Sequence, residues 1–152
     1  NTSKVNATIA NQLALYLTMY SPLQMAADFP EHYEQFADAF QFIKDVAVDW
    51  QKSKYLLAEP GDYIVVARKA KKSGQWFAGG VTDEYSRTLD VPMTFLDPGK
   101  TYVAKIYADA PDADYQKNPQ AYVITEQEVT SESVIPVFMA RGGGFAIEFR
   151  EK

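Results

Sequence analysis

This sequence predicts a mostly β fold, in which an antiparallel β-sandwich follows a shorter helix–strand–helix unit. Three observations support that prediction: apolar residues at helical spacing near the N-terminus, a change to a period of two after Trp50, and turn-rich separators between the later segments. We therefore divide the chain near Trp50, with residues 1–45 in the first region and residues 46–152 in the sandwich.

The first helix is predicted over residues 9–20. Its apolar positions follow spacings of four, three, one and three, which places them on one helical face: Ile9, Leu13, Tyr16, Leu17 and Tyr20. The helix ends at Ser21-Pro22, because the residue before a proline is pushed out of the α region. The short apolar run that follows, residues 23–27, is interpreted as a buried strand.

A second helix is predicted over residues 30–44. Asp28 stands three residues before Glu31, and Pro30 lies in the first turn, which is the pattern of a helix N-cap with a capping-box acid. An apolar stripe that includes Phe36 and Ile43 continues the helix.

Seven later segments have the alternation and length of β-strands, and turn-forming residues separate them. The last segment alternates cleanly, with Phe145, Ile147 and Phe149 on one face and Glu148 and Arg150 on the other. Seven or eight such strands indicate an antiparallel sandwich. They are predicted at residues 61–69, 74–81, 87–96, 100–108, 120–129, 133–139 and 144–150, with another possible at 54–58.

The single strand between the two helices lacks a partner within the first region. Buried backbone groups without hydrogen bonds are costly, and helix–strand–helix is one step of a β/α repeat. We therefore interpret residues 1–45 as the last piece of a larger β/α domain.

Composition excludes several kinds of partner and chemistry. The chain has 152 residues, a net charge of −5 and no cysteine. The negative charge argues against a nucleic-acid partner, and no apolar run is long enough to predict a membrane span. The absence of cysteine excludes disulfides, thiolate nucleophiles and cysteine metal ligands. The densest basic run, residues 68–72, is interpreted as a solvated hairpin turn.

Asp28 is the candidate substrate-binding residue. It follows the predicted strand, and the carboxyl ends of strands in a β/α barrel form the face on which active sites are built. The alternative is that Asp28 caps the next helix together with Glu31. His32 is the only histidine, so neither a Ser-His-Asp triad nor a histidine-rich metal site can be assembled, and we predict a helix-surface position for it.

Three aspartates in one loop, Asp109, Asp112 and Asp114, suggest a calcium site. The spacing does not match an EF-hand, which also requires a glycine at its sixth position and an acid where Gln120 stands. A turn fixed by side-chain-to-backbone hydrogen bonds is favoured, and no metal ligand is assigned in this chain.

The remaining candidates also have structural alternatives. Glu126 and Glu128 share a strand face about 7 Å apart, a spacing that a glycosidase pair could use, but acids on a sandwich strand ordinarily face water. No catalytic residue is assigned. The glycine-rich run 141–144 leads into a strand, so it is interpreted as a hairpin turn and not a phosphate loop. Four aromatic residues could form a sugar-stacking platform or pack internally: Trp50, Tyr63, Trp76 and Tyr85.

Several stretches, in the same order along the chain, resemble the C-terminal part of glycoside hydrolase family 97. They are "NQLALYLTMYSPLQMAADFPEHYE", "FQFIKDVAVDW", "EPGDYIVVARK", "FLDPGKTYVAKIYADAPDADY" and "NPQAY". The resemblance runs from about Asn11 to Arg150. It implies an N-terminal β-sandwich, a catalytic (β/α)8 barrel and a C-terminal β-sandwich.

In that arrangement residues 9–20 are the seventh barrel helix, 23–27 the eighth strand and 30–44 the eighth helix. The first region is then the helix–strand–helix piece that closes the barrel. The resemblance also implies hydrolysis of α-glucosidic or α-galactosidic bonds, a calcium ion at the active site of the parent enzyme, and export to the bacterial periplasm or exterior. No position here matches the family's catalytic carboxylates or calcium ligands, which lie upstream.

The sequence therefore predicts an accessory, barrel-stabilising sandwich that has no catalytic activity by itself. Its partners are the remainder of the same polypeptide and, through the barrel, an oligosaccharide substrate. The alternative is a non-catalytic carbohydrate-binding module, which the aromatic content and the sandwich fold also allow.

Overall fold

The computed structural model describes residues 7–18, 36–46 and 49–152. Within these residues two helices, α1 (Ile9–Thr18) and α2 (Ala37–Asp45), precede eight strands. The strands are β1 (Trp50–Glu59), β2 (Tyr63–Ala70), β3 (Trp76–Thr82), β4 (Arg87–Pro92), β5 (Tyr102–Asp109), β6 (Tyr122–Val129), β7 (Val134–Met139) and β8 (Gly144–Glu151). The seven predicted strands and the possible eighth, which is β1, are all present.

The strands form two antiparallel sheets, as the sequence predicts for a sandwich. The larger sheet has the order β1-β2-β3-β8-β5-β6, and the smaller one pairs β4 with β7. The predicted division near Trp50 falls at the first residue of β1. The assignment of residues 1–45 to a barrel stays a prediction, because the expected strand at 23–27 lies outside the described residues.

The six-stranded sheet has a buried apolar cluster on each face. The inner cluster lies between the sheets and contains Phe145, Ile147 and Phe149 of β8. The outer cluster joins α1 and α2 to residues of the same sheet, including Phe77 and Ala146. Because the helices cover part of the outer face, β8 has six buried residues in succession and not an alternation of buried and exposed residues.

Most of the surface of helix α1 is buried, whereas a helix at the edge of a sandwich would expose one side to solvent. Leu13, Ala14 and Leu17 are each at most 1% exposed, and α1 lies across β3 and β8. Two glycines allow this close approach: a Cβ at Gly79 would lie 2.8 Å from Leu17 Cδ1, and one at Gly144 would lie 2.9 Å from Asn11 Cα. The absence of side chains at these two glycines therefore leaves the space in which α1 packs against the sheet.

The interpretation of the glycine-rich run as a hairpin turn is wrong. Residues 140–143 connect β7 with β8, but β7 pairs with β4 and β8 pairs with β3 and β5. The turn carries the chain from the smaller sheet to the larger one. A hairpin requires its two strands to hydrogen-bond to each other, and these two lie in different sheets.

Candidate functional site

The sequence-predicted substrate residue, Asp28, lies outside the described residues, as do Glu31 and His32. Its two alternatives, substrate contact and helix capping, both remain predictions. The described chain places its polar groups of interest elsewhere, at a junction between α1 and the sandwich and in a charged cleft beside α2.

The junction begins at the N-terminus of α1. The Thr8 Oγ1 accepts a hydrogen bond from the Asn11 N–H at 3.1 Å, which is an N-cap interaction. The Asn11 Nδ2 donates to the Gly143 carbonyl at 2.8 Å, and the Thr8 N–H donates to the Gly142 carbonyl at 3.2 Å. The first turn of the helix is thus tied to the glycine-rich connection between the sheets.

Asp109 holds the connection between the sheets in place by hydrogen bonds. It ends β5, is 3% exposed, and accepts hydrogen bonds from the Ala140 and Gly144 N–H groups, both at 2.9 Å. Burial raises the pKa of its carboxyl, and the Thr8 side chain and the two N–H donors oppose that shift. A Cβ at Gly143 would lie 1.9 Å from Asp109 Oδ2, so only glycine fits there. The structure therefore separates Asp109 from the solvated aspartate loop in which the sequence places it.

The other two aspartates of that loop form the predicted turn. The Asp114 carboxylate accepts hydrogen bonds from the N–H groups of Gln116 and Lys117 at 2.8 and 3.1 Å, and Asp112 accepts one from Asn118 Nδ2 at 3.2 Å. Within residues 7–18, 36–46 and 49–152, no three His, Cys, Asp or Glu side chains are arranged to hold a metal ion. The interpretation as a turn is confirmed for Asp112 and Asp114.

A charged cleft of about 670 Å³ lies beside the C-terminal end of α2. Its deepest carboxyl is Glu148 on β8, which is 5% exposed and stands opposite Lys105 of β5. Burial, followed by the negative charge and hydrogen bonding of Asp45 on α2, raises the pKa of Glu148 to about 7. The positive charges of Lys105 and Arg150 oppose the shift. The cleft therefore couples the protonation of a buried carboxyl to the packing of α2.

Glu126 and Glu128 are surface residues, as their place on a sandwich strand favours. Glu126 pairs with Arg150 at 3.4 Å, and both side chains are more than half exposed; Glu128 pairs with Lys152. Exposed pairs of this kind contribute little to stability. The carboxyl with the unusual environment is their neighbour Glu148, to which the sequence patterns assign a strand face and no role.

The four aromatic candidates do not form a common platform. Trp76 is 4% exposed and packs on Phe95 with ring centroids 5.2 Å apart, whereas Trp50 packs on Phe77 at 5.8 Å. The Arg87 guanidinium covers the Tyr63 ring at 4.8 Å. Tyr85 is 65% exposed. Packing against other residues of the domain therefore explains Trp50, Tyr63 and Trp76, and Tyr85 is the exposed one of the four.

The interpretation of residues 68–72 as a solvated turn is wrong for its first half. Arg68 and Lys69 belong to β2 and lie over the Trp50 and Trp76 rings, each at 5.9 Å. Lys71 and Lys72 are exposed in the turn that follows.

The geometry as a whole defines a class of domain: a two-sheet antiparallel sandwich whose larger sheet is packed by helices from the preceding part of the chain. Comparison with known proteins identifies its family. The family described as "Glycosyl-hydrolase 97 C-terminal, oligomerisation" matches residues 49–150. This chain belongs to glycoside hydrolase family 97 and contains its C-terminal domain.

Individual relatives agree with that assignment. A retaining alpha-galactosidase of Bacteroides thetaiotaomicron is 32% identical over 143 residues, which cover 94% of this chain and 21% of that protein. A probable retaining alpha-galactosidase of Streptomyces bingchenggensis is 29% identical over 140 residues, covering 92% of this chain and 20% of that protein. The chain therefore spans about a fifth of the length of these curated relatives.

A solved structure provides a further match. A family 97 enzyme of Pseudoalteromonas sp. strain K8, in complex with acarbose, superposes with a TM-score of 0.93 at 45% identity, over 97% of this chain and 23% of that one. The same enzyme has been solved as a variant with panose. These relatives are glycoside hydrolases, and the residues that they share with this chain are a small part of each.

Two polar features are not predicted from the sequence: the Thr8–Asn11–Gly143 contacts and the environment of Glu148. The sequence does contain a signal for the contacts of Thr8 and Asn11. Thr8 directly precedes the predicted start of the helix, as an N-cap residue does, and Asn11 is a polar residue among the apolar positions of that helix. No local signal marks Glu148, because its burial depends on helix α2, which is about one hundred residues earlier in the chain.

Proposed function

We propose that this chain is the C-terminal segment of an exported glycoside hydrolase that cleaves α-glucosidic or α-galactosidic bonds. In this proposal the sandwich is an accessory domain that stabilises a catalytic (β/α)8 barrel and takes part in self-association. The observation that carries it is the family match over residues 49–150 in a chain that spans about a fifth of its curated relatives. The catalytic carboxylates then lie in the preceding part of the polypeptide, one acting as a protonated acid and the other as nucleophile or base.

The packing of the helices supports the stabilising role. In the proposed protein α1 and α2 belong to the barrel, and both contribute to the outer cluster on the six-stranded sheet. The Asn11–Gly143 hydrogen bond and the Thr8–Gly142 hydrogen bond add a polar anchor at one end of α1. An accessory domain attached in this way moves with the barrel helices, so loss of the sandwich would expose their apolar sides.

The names and ligands of the relatives support both α-galactosidic and α-glucosidic bonds as the bonds that the complete protein hydrolyses. Two curated relatives are named as retaining or probable retaining alpha-galactosidases. The solved relative with the higher identity binds acarbose and panose, which are ligands built on glucose-type rings. The choice of substrate is tested by comparing hydrolysis of p-nitrophenyl α-glucoside and α-galactoside by the complete protein.

The calcium ion implied by the family resemblance does not fit the residues described here, since they include no cluster of three carboxylate or histidine ligands. We propose that its ligands lie in the barrel and N-terminal domain. Asp28 remains the candidate substrate-binding residue of this chain, and the alternative, which its sequence context favours, is that it caps the following helix together with Glu31.

Export is proposed from the family resemblance. No helix in the described part of the chain is long and apolar enough to cross a membrane. Fractionation of the producing bacterium tests this directly: the proposal expects hydrolytic activity in the periplasmic or extracellular fraction, and activity confined to the cytoplasm would contradict it.

Residues 1–152 alone should be inactive on both substrates, with and without added calcium, whereas the complete protein should hydrolyse at least one of them. Hydrolysis by residues 1–152 alone would overturn the proposed location of the catalytic groups. Saturable binding of maltooligosaccharides or galactosides to the same segment, measured by calorimetry, would instead favour a carbohydrate-binding module.

A further inference from the structure

We propose that two copies of this chain associate through the free edge of β1, with the two β1 strands antiparallel about a twofold axis between Leu56 and Leu57. This inference rests on the proposed role in self-association and names the surface and the register.

The edge of β1 is open along most of its length. The strand has ten residues, and among the described strands it pairs with β2 alone, on one side. Gln51 to Tyr55 are exposed, and so are Ala58 and Glu59. Among the described residues, Tyr55 is the most exposed large apolar side chain, at 71%. An unpaired edge of this length presents backbone N–H and C=O groups to which another strand can hydrogen-bond.

A register shift between Tyr55 and Leu57 determines which side chains share a face. Lys54, Leu57 and Glu59 stand opposite Ala67, Val65 and Tyr63, three alternate residues of β2 that belong to or pack on the inner cluster. Tyr55 and Ala58 stand opposite Val66 and Ile64, which belong to or pack on the outer cluster. Lys54 and Glu59 are therefore on one face, and Tyr55 and Ala58 are on the other.

This arrangement makes the strand complementary to itself. When two β1 strands pair about the proposed axis, Lys54 of each copy faces Glu59 of the other, and Tyr55 of each faces Ala58 of the other. A twofold contact repeats each interaction, which gives two cross-strand ion pairs and two apolar pairs. Pairing with the strands parallel and in register would instead place Lys54 opposite Lys54.

Apolar surface beside the edge extends the contact. Tyr55 and Ala58 line a shallow cavity of about 640 Å³ at the β1–β2 hairpin, together with Pro60, Ile64 and Val81. A second copy that pairs with β1 would cover the mouth of this cavity.

The other described strand edges fit a second copy less well. Edge strand β6 carries Glu126 and Glu128 and no basic residue, so self-pairing would bring like charges together. In the smaller sheet, β7 contains Pro136, which cannot donate a backbone hydrogen bond, and β4 ends at Pro92. Lysine at the β1 edge discourages pairing with unrelated strands, but it is matched here by the strand's own glutamate.

Charge reversal in the complete protein tests both the surface and the register. Glu59→Lys alone places lysine opposite Lys54, and Lys54→Glu alone places glutamate opposite Glu59. We expect each variant to raise the dissociation constant of the dimer at least tenfold in sedimentation velocity. An equimolar mixture of the two restores both ion pairs, so its dissociation constant should return to within about threefold of the unaltered protein.

Two further variants complete the experiment. Tyr55→Ser should also weaken association at least tenfold, whereas Glu128→Lys at the opposite edge of the sheet should leave it unchanged. If the unaltered protein associates and neither charge reversal changes its dissociation constant, the proposed β1 surface is wrong, but the proposed role in self-association is not contradicted. A monomer at every concentration would overturn the association role itself, while hydrolysis assays judge the rest of the proposed function separately.

The remaining outcome concerns contact with the same polypeptide. If Tyr55 packs against the barrel of its own chain, Tyr55→Ser will lower the melting temperature of the complete protein without changing its association. That result would overturn the proposed surface.

Discussion

Asp109 and Gly143 depend on each other. The carboxylate of Asp109 is buried and needs donors, and the backbone around Gly143 approaches closely enough to supply them through Ala140 and Gly144. A side chain at Gly143 would occupy the same space as the carboxylate oxygen. The triple glycine is therefore a requirement of close packing at the crossing between the two sheets.

Gly143→Ala should destabilise the protein by about 3 kcal/mol, because the Cβ would lie 1.9 Å from Asp109 Oδ2 and 2.7 Å from the Ala140 carbonyl oxygen. Urea unfolding measures the change. Gly99→Ala is the matched control: Gly99 has φ +79° and a Cβ there would meet no heavy atom within 4 Å, so only the cost of the left-handed conformation applies, about 1–2 kcal/mol. Equal losses in the two variants would contradict a close-packing role for Gly143.

Glu148 makes stability depend on pH. Its pKa is about 7 in the folded protein and near 4.5 in the unfolded chain. Between these values the folded state holds a proton that the unfolded state has released, so stability falls as the pH rises from about 4.5 to about 7 and is then level. At about 1.4 kcal/mol for each unit of pKa, the total is on the order of 3 kcal/mol.

Glu148→Gln should remove this pH dependence, because glutamine keeps the shape and the hydrogen-bonding capacity of the protonated acid. We expect the variant to exceed the unaltered protein in unfolding free energy at pH 8, with the difference shrinking toward pH 5. Glu126→Gln, at an exposed position on β6 of the same sheet, is the control and should leave the profile nearly unchanged. A parallel profile for Glu148→Gln and the unaltered protein would contradict the assignment.

At the scale of elements, α1 is held by apolar packing along its length and by a polar anchor at its first turn. Asn11 is 8% exposed, and its side chain donates to Gly143 across 132 positions of sequence. The Gly143 carbonyl also accepts a hydrogen bond from the Thr82 N–H at 3.1 Å, so truncation of Asn11 removes one of its two donors and costs about the net contribution of that one bond.

Asn11→Ala should lower the unfolding free energy by about 0.5–1.5 kcal/mol, the net contribution of one hydrogen bond, and accelerate hydrogen exchange of the α1 amides. Gln12→Ala is the control on the same helix, since Gln12 is half-buried and its side chain has no role in the anchor. Unchanged exchange in α1 of the Asn11 variant would show that apolar packing alone fixes the helix.

At the scale of the whole molecule, the six-stranded sheet contributes residues to two hydrophobic cores. The inner and outer clusters lie on opposite faces of the six-stranded sheet, so disruption of either one removes support from the other. The helices and the sandwich are thus expected to unfold together, even though the sequence predicts that they belong to different domains of the complete protein.

Phe42→Ala tests this coupling. Phe42 of α2 is fully buried and makes edge-to-face contacts with Phe77 at 6.1 Å and Tyr107 at 5.4 Å. We expect a loss of about 3–5 kcal/mol and equal acceleration of hydrogen exchange in α2 and in β3. Phe138→Ala, at a half-buried position of β7, should cost less. Exchange that rises in α2 but not in β3 would show that the helices unfold independently.

Much of the fold follows from short-range patterns in the sequence. The period of two identifies every strand within a few residues, and the helical spacing places both helices, because each pattern records which side of an element is buried. The inner face of β8 is a direct example, with Phe145, Ile147 and Phe149 all in the inner cluster as the alternation predicts. The stretches that resemble family 97 likewise identify the family, which the comparison confirms.

The sequence by itself thus determined the class of fold, the family, the turn at Asp112 and Asp114, and the exposed positions of Glu126 and Glu128. Only the tertiary structure showed that the glycine-rich run crosses between sheets, that Asp109 is buried beneath it, that Glu148 lies beside Asp45, and that β1 is an edge strand among the strands described. The physical reason is that periodicity reports how each element is buried on average, whereas strand order and the environment of a carboxyl depend on residues far away in the chain.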